Sequence, residues 1–174
     1  MDSGNIGFVL LCAAFVFVMT PGLAMFYGGL VRKKNVVNTM MTSIFIIGIG
    51  IVMWVLFGYS LSFAPSGNAF IGDFRWLGLE GVSLTEGYTD DASISNMVFS
   101  AFQMMFAVIT PALITGAVAG RMKFKSIFVF TIFWSLIVYY PLAHMVWGQG
   151  GLLGADGIGA LDFAGGDVVH ISSG

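Results

Sequence analysis

Three ionisable side chains lie where an apolar stretch begins near the end of the chain. Asp162, Asp167 and His170 belong to the run LDFAGGDVVHISSG, which covers residues 161–174. Ionisable groups inside a hydrophobic segment are rare, and by default they mark functional positions. The run therefore predicts a site that binds a solute or moves a proton.

Asp162 and His170 have different predicted tasks. The Asp162 carboxylate can accept hydrogen bonds from the first free backbone amides of a helix, so it is expected to act as a cap. In a continuous helix, His170 would lie about 12 Å further along the axis, toward the apolar centre of a span. A neutral imidazole both donates and accepts, so it can bind a small polar solute, pass a proton or form an interhelical hydrogen bond. The residues alone leave these alternatives open.

The composition indicates that lipid is the main solvent of this chain. Hydrophobic residues make up 57% of its 174 residues and charged residues 9%, against about 25% charged residues in soluble domains. No basic face is available for nucleic acid, and a lone cysteine, Cys12, excludes a disulfide framework within one chain. The apolar runs carry no metal-ligand spacing and no pair of nucleophile and base, so neither an enzyme nor a metal or cofactor is predicted.

Four stretches without Asp, Glu, Lys or Arg exceed the ~20 residues needed to cross hydrocarbon. A single apolar segment of this length satisfies its own backbone hydrogen bonds only as a helix, and the alternation of a β-barrel is absent. The predicted fold class is all-α, a polytopic transmembrane protein. Its spans are expected at about residues 6–31, 40–63, 96–120 and 127–147, with a fifth from about 163.

The charges alternate with the spans and so predict the topology. Two short connections hold nearly all the basic residues, which are Arg32, Lys33, Lys34, Arg121, Lys123 and Lys125. The other segments hold all the acidic residues together with Arg75: Asp2, Asp73, Glu80, Glu86, Asp90, Asp91, Asp156, Asp162 and Asp167. Because basic connections stay in the cytoplasm, the amino terminus is expected outside a plasma or inner membrane. The fifth span is too short to cross, so the chain is expected to be a fragment.

The run at 161–174 resembles the signature of the ammonium transporter family, the Amt, MEP and Rh proteins, whose pattern D-F-A-G-G-x-V-V-H it matches closely. The resemblance extends over the whole chain. It includes PGLAMFYGGLVRKKN at 21–35, AFQ and FAVIT between 101 and 110, and AHMVWG at 143–148. The inner turn after the first span and the presence of Trp147 favour the Amt branch.

This resemblance implies roles for five residues. His170 aligns with the first of two pore histidines, and its partner would lie later in the protein. Phe106 aligns with the outer gate, while Phe102 and Trp147 align with the site that recruits ammonium. Asp162 aligns with a carboxylate that supports the vestibule structurally.

The resemblance also implies a fold, a function and partners. The chain would be the amino-terminal half of an inverted-repeat transporter that assembles as a homotrimer in the lipid bilayer. Ammonium would be recruited, lose a proton and cross as ammonia through a hydrophobic pore. A cytoplasmic PII-type regulator is a common partner in the family. The alternatives are an ammonium-sensing membrane domain coupled to signalling and an Rh-type gas channel.

The predictions for two other residues and one loop are less specific. Asp167 stands where many relatives carry a small neutral residue, and it is expected to be an inert variation. His144 lies near the outer end of the fourth span and is given no role in the pore. The long loop at about 64–95 is expected to pack over the outer mouth, with a variable surface as the alternative.

Overall fold

The computed structural model describes residues 1–65, 68–89, 92–155 and 157–174, so the predicted acidic positions Asp90, Asp91 and Asp156 lie outside the described residues. Four of its helices are long and apolar enough to cross a membrane. No strand is assigned in the described ranges, and the predicted all-α fold class is confirmed. The long helices and a short fifth are α1 (Ser3–Leu30), α2 (Lys33–Phe63), α3 (Asn96–Val118), α4 (Phe124–Trp147) and α5 (Gly166–Ile171).

Three long helices begin earlier than the apolar pattern predicts. Helix α1 begins at Ser3, α2 at Lys33 and α4 at Phe124. The carboxylate of Asp2 accepts a hydrogen bond from the amide of Asn5 at 2.8 Å and so caps α1. Polar and basic residues in a first turn add length to a helix without adding apolar character, which is why hydropathy misses them.

Two helix boundaries differ from prediction because of glycines in the left-handed region. Helix α3 ends at Val118, and Gly120 just beyond it has φ +71°. Gly165 has φ +79°, and α5 begins at Gly166 instead of near residue 163. Glycine takes positive φ without the steric cost that a Cβ would bring. Asp162 therefore lies outside α5, in the connection that precedes it.

Helix α1 packs against both α2 and α3. The Tyr27 hydroxyl of α1 donates to the Leu113 carbonyl of α3 at 2.9 Å. The Tyr27 ring lies against Gly116, where a Cβ would come within 2.6 Å of the ring. Between α2 and α3, the hydroxyls of Ser43 and Thr115 are 3.1 Å apart. Small and hydroxyl-bearing residues of this kind let helices approach closely inside a membrane.

A cluster of buried aromatic side chains joins α2 to α4. The Trp54 ring lies 5.7 Å from Tyr59 and 6.0 Å from Tyr140, measured between centroids. The indole nitrogen of Trp54 donates to the Ser100 carbonyl at 3.2 Å, which ties the cluster to α3. These rings fix the relative positions of α2, α3 and α4, and the last two of these helices carry residues of the candidate site.

Helices α2 and α4 each contain one widened turn. The turns are π-helical and cover Trp54–Gly58 in α2 and Ser135–Tyr139 in α4. In a π turn each backbone amide bonds five residues back instead of four. The two turns meet closely, because a Cβ on Gly58 would come within 2.7 Å of the Tyr140 ring that follows the second turn.

The outward faces of the helices are apolar. On α1, the side chains of Phe8, Phe15 and Leu30 are each more than 60% exposed. Faces of this kind require lipid or further helices to cover them.

At one end of the bundle, the amide of Asp2 donates to the Ser93 carbonyl at 2.8 Å, so the amino terminus and the long loop lie on the same side.

Candidate functional site

One cavity brings together four of the five predicted site residues. It lies between α3, the end of α4, the long loop and the connection before α5, and its volume is about 510 Å³. We call it the aromatic cavity. The residues that line it are Tyr88, Phe99, Phe102, Gln103, Phe106, Trp147, Asp162, Phe163, Ala164 and Gly165.

Helix α3 supplies one wall of the aromatic cavity. Phe99, Phe102, Gln103 and Phe106 follow the spacing of a single helix face. The Phe102 and Phe106 rings are 5.1 Å apart in an edge-to-face arrangement, and Phe106 is 6.4 Å from Trp147. Aromatic faces carry partial negative charge and attract a cation within about 6 Å. The predicted gate and recruitment residues therefore lie within one continuous aromatic wall.

Asp162 fixes the start of α5. One of its carboxylate oxygens, Oδ2, accepts hydrogen bonds from the amides of Asp167 at 3.2 Å and Val168 at 2.9 Å. The carboxylate thus satisfies amides of the first turn, as a capping residue does, although it stands four residues before Gly166. Its other oxygen, Oδ1, is buried without a hydrogen-bond partner among the described residues.

The same aspartate orients Trp147. The indole nitrogen of Trp147 donates to the Asp162 carbonyl at 3.4 Å, a long contact that links the end of α4 to the connection before α5. Of the described residues that line the cavity, Asp162 is the only carboxylate. The site therefore combines aromatic rings with one negative charge held against backbone amides, and this combination suits a small cation.

His170 does not line the aromatic cavity. Its side chain is exposed and lies at a neighbouring cavity of about 320 Å³ that Asp162 and Asp167 also line. The expected rise of about 12 Å from Asp162 assumed a continuous helix. Because α5 begins at Gly166 and is π-helical, His170 is only four residues into it and lies closer to the start of the helix than that distance. The two cavities meet at the connection before α5, where they share Asp162, Phe163 and Ala164.

His144 is buried on α4, one helical turn before Trp147. Its Nδ1 lies 3.1 Å from the Ser62 carbonyl and its Nε2 lies 2.8 Å from the Asn68 carbonyl. The first contact is to the last turn of α2 and the second is to the chain just after it, and the imidazole has no exposed surface. This side chain holds the beginning of the long loop against α4 and takes no part in the aromatic cavity.

Six lining residues were given no role from the sequence: three belong to the signature run, which are Phe163, Ala164 and Gly165, and three lie outside it, which are Tyr88, Phe99 and Gln103. Phe99 and Gln103 could have been found, because they share a helix face with Phe102 and Phe106. Tyr88 carries no such signal, since it belongs to the long loop and reaches the cavity only through tertiary packing. Its place in the wall agrees with the expectation that the loop packs against the site.

Ligating side chains do not cluster in the part of the chain that the structure describes. Within it, no group of three or more His, Cys, Asp or Glu residues is arranged to hold a metal ion. The structure therefore points to no described residue as a metal ligand.

Comparisons with known proteins agree on one family. A sequence model described as Ammonium Transporter Family matches residues 7–174. An ammonium transporter of Bacillus subtilis is 52% identical over 174 residues, which is all of this chain and 42% of that protein. The crystal structure of Saccharomyces cerevisiae Mep2 superposes with a TM-score of 0.88 at 35% identity, covering 99% of this chain and 38% of that one.

A solved structure titled "Sensor Amt Protein" is also similar. It has a TM-score of 0.79 at 28% identity, and the match covers 95% of this chain and 40% of that one. The chain thus spans about two fifths of the length of its relatives, the proportion seen with the Bacillus subtilis protein. The Bacillus subtilis relative is named an ammonium transporter, which agrees with the family that the sequence model describes. On the match over residues 7–174, supported by four apolar helices of membrane-spanning length, the chain belongs to the ammonium transporter family.

Proposed function

We propose that the protein containing this chain transports ammonium across a membrane, with the aromatic cavity recruiting the cation and His170 lining the path of ammonia. The observation that carries this proposal is the convergence of Phe102, Phe106, Trp147 and Asp162 on one cavity. These residues come from two helices and a connection that are far apart in sequence. Family membership makes ammonium the substrate class that this cavity fits best.

Recruitment follows from the electrostatics of the cavity wall. A cation that leaves water loses hydration. Attraction to each ring face offsets part of this cost by about 0.5–2 kcal/mol, and the attraction is stronger where water is excluded from the contact. Phe102 and Trp147 are the recruiting rings in this proposal. The Asp162 carboxylate accepts from amides of the first turn of α5, and its backbone carbonyl accepts from the Trp147 indole, so Asp162 acts as a positioning residue.

Deprotonation follows from the cost of burying charge. The free-energy cost of entering an apolar passage is far higher for an ammonium ion than for neutral ammonia. Phe106, beside both recruiting residues, marks the point where the cation gives up its proton and ammonia continues. A neutral imidazole at His170 can donate to or accept from ammonia without placing a permanent charge in the pore. The released proton returns to the outer solution or follows along the pore histidines.

This mechanism discriminates against potassium. An alkali ion cannot become neutral by releasing a proton, and the aromatic cavity offers no ring of carbonyl oxygens like that of a potassium filter. Potassium is therefore expected to bind weakly and to cross far more slowly than ammonium.

The proposal includes an orientation and partners. The basic turns after α1 and α3 face the cytoplasm, so the amino terminus and the long loop lie outside. The apolar outer faces of the helices contact lipid and, in a homotrimer, the neighbouring subunits. A PII-type regulator would bind the cytoplasmic side.

The second candidate is an ammonium sensor, which is favoured by the similarity to the structure titled "Sensor Amt Protein". A sensor would use the same cavity for binding and pass the signal to a cytoplasmic domain. The complete gene distinguishes the two, because a sensor requires a signalling domain after the membrane spans.

Uptake of labelled methylammonium by cells that lack their own transporters tests the proposal. The complete protein is expected to support uptake that ammonium inhibits and potassium does not. Trp147→Ala should raise the KM by about 2- to 30-fold through loss of a cation–ring contact. His170→Ala should lower the maximal rate or the selectivity over potassium. Phe15→Ala, which removes an aromatic ring from the exposed face of α1, is the matched control and should behave as wild type.

Two results would overturn the transport proposal. One is wild-type rates and selectivity in both the Trp147 and the His170 variants. The other is a potassium flux that rivals the flux of ammonium. Immunoblots of the membrane fraction show how much of each variant is present, so that a lowered rate is not confused with a loss of protein.

A further inference from the structure

Tyr88 extends the aromatic wall beyond the predicted site. Its ring stacks on Phe99 with centroids 4.7 Å apart and planes inclined by 6°. Phe99 lies one helical turn before Phe102, and both rings line the aromatic cavity together with Tyr88. The wall thus runs from the loop residue Tyr88 through α3 to Trp147, and Tyr88 forms its end nearest the long loop.

Tyr88 is held in a fixed orientation by groups outside the cavity. The backbone amide of Gln149 donates to the Tyr88 hydroxyl at 3.1 Å, and the Gln149 side-chain amide donates to the Tyr88 carbonyl at 3.0 Å. The edge of another ring, Phe63, meets Tyr88 at 5.6 Å and 86°. Gln149 follows Trp147 by two residues, so the end of α4 supplies one end of the aromatic wall and the turn just after it holds the other.

We propose that Tyr88, positioned by Gln149, is a specificity-determining residue that sets how large an ammonium-type cation the aromatic cavity accepts. This inference rests on the transport function proposed above. A stacked and hydrogen-bonded ring cannot move aside cheaply, so it limits the space available to a cation that carries methyl groups. The same ring adds one aromatic contact for a cation that fits.

Loss of Tyr88 and loss of a recruiting ring are expected to affect cation binding differently. Loss of Trp147 removes an attraction and should weaken every ammonium-type cation. Loss of the Tyr88 ring removes an attraction and also opens the wall, so small cations bind more weakly while bulkier cations gain room. A change in the preference between cations of different size is therefore the mark of this role, and general damage to the fold would not produce it.

The test measures methylammonium uptake and its inhibition by dimethylammonium in the complete protein. For Tyr88→Leu, we expect the KM for methylammonium to rise about 3- to 10-fold with a nearly unchanged Vmax, as for the loss of one cation–ring contact. The inhibition constant of dimethylammonium, divided by that KM, should fall by about 10-fold, the lower end of the range for one methylene in an apolar pocket. Gln149→Ala should shift both values in the same direction but less, because the backbone amide still reaches the Tyr88 hydroxyl. Leu84→Ala, an exposed change in the same loop, should leave both values unchanged.

The outcomes separate this inference from the function on which it rests. If wild type takes up methylammonium and Trp147→Ala impairs it, but neither Tyr88→Leu nor Gln149→Ala alters the size preference, the role of Tyr88 is wrong and transport stands. If wild type shows no uptake, the proposed function fails and the inference fails with it. Should Tyr88→Leu not reach the membrane, the Gln149→Ala result decides.

Discussion

Replacing Asp162 by Asn tests whether a carboxylate is needed to start α5. The substitution keeps the size of the side chain and one oxygen acceptor, but it removes the negative charge. In the native protein, Oδ2 accepts from two backbone amides at 3.2 and 2.9 Å. Hydrogen bonds to a charged acceptor contribute about 1.5–3 kcal/mol, against about 0.5–1.5 kcal/mol for neutral pairs. Over two bonds, the expected local loss is about 2–3 kcal/mol.

Hydrogen exchange followed by mass spectrometry measures this loss where it occurs. A local destabilisation of about 2–3 kcal/mol corresponds to a fall of about 30- to 150-fold in the protection of the first-turn amides. Peptides that cover Asp167 and Val168 report it in the purified complete protein. The matched control is Asp73→Asn, because the Asp73 carboxylate also accepts a backbone amide, that of Arg75 at 3.0 Å, but in an exposed loop.

The transport assay should detect the effect of Asp162→Asn on the position of Trp147. Trp147 donates to the carbonyl of Asp162, so a loosened connection lets the indole leave the wall and raises the KM for methylammonium. If Asp162→Asn leaves the exchange of Asp167 and Val168 within about 3-fold of wild type, a difference of about 0.6 kcal/mol, the charge is not what holds the first turn. The positioning role given to Asp162 would then be incorrect.

Three further substitutions test the packing that positions the site. Gly165→Ala should destabilise the start of α5 by about 1–2 kcal/mol, because the residue has φ +79° and a Cβ there meets Val169 at 2.9 Å. Unchanged hydrogen exchange of the α5 amides would contradict this prediction. Gly116→Val should lower the thermal midpoint in detergent by overpacking against Tyr27, at a cost of about 1–3 kcal/mol. Tyr27→Phe removes the hydrogen bond to the Leu113 carbonyl and should cost about 0.5–1.5 kcal/mol in the same measurement; a Tyr27→Phe variant more stable than wild type would refute the contribution of that bond.

The sequence predicts the parts of this fold that depend on local chemistry. Hydropathy locates four helices because a lipid-spanning segment must be apolar along nearly its whole length. The aromatic wall of α3 is visible as a helical spacing between Phe102 and Phe106. The capping role of Asp162 is also accessible, since a carboxylate before an apolar run has amides to satisfy.

Other features depend on contacts that a linear pattern does not contain. The late start of α5 results from the conformation of Gly165, and glycine is compatible with both signs of φ. Tyr88 joins the cavity only because Gln149 and Phe99 hold it there. The burial of His144 between two carbonyls depends on how the chain after α2 folds back on α4.

The widened turn in α4 has a consequence for insertions and deletions. A residue advances an α-helix by about 100°, so a one-residue change in register turns everything beyond it by that angle. Deleting one residue from Ser135–Tyr139 would permit regular α-helical bonding there. Because the widened turn already accommodates one extra residue, this deletion would leave Trp147 facing Phe106, whereas a one-residue deletion between the turn and Trp147 would rotate Trp147 by about 100°. The widened turn is therefore the point in α4 where the loss of one residue disturbs the aromatic cavity least, and no side chain of the turn itself lines that cavity.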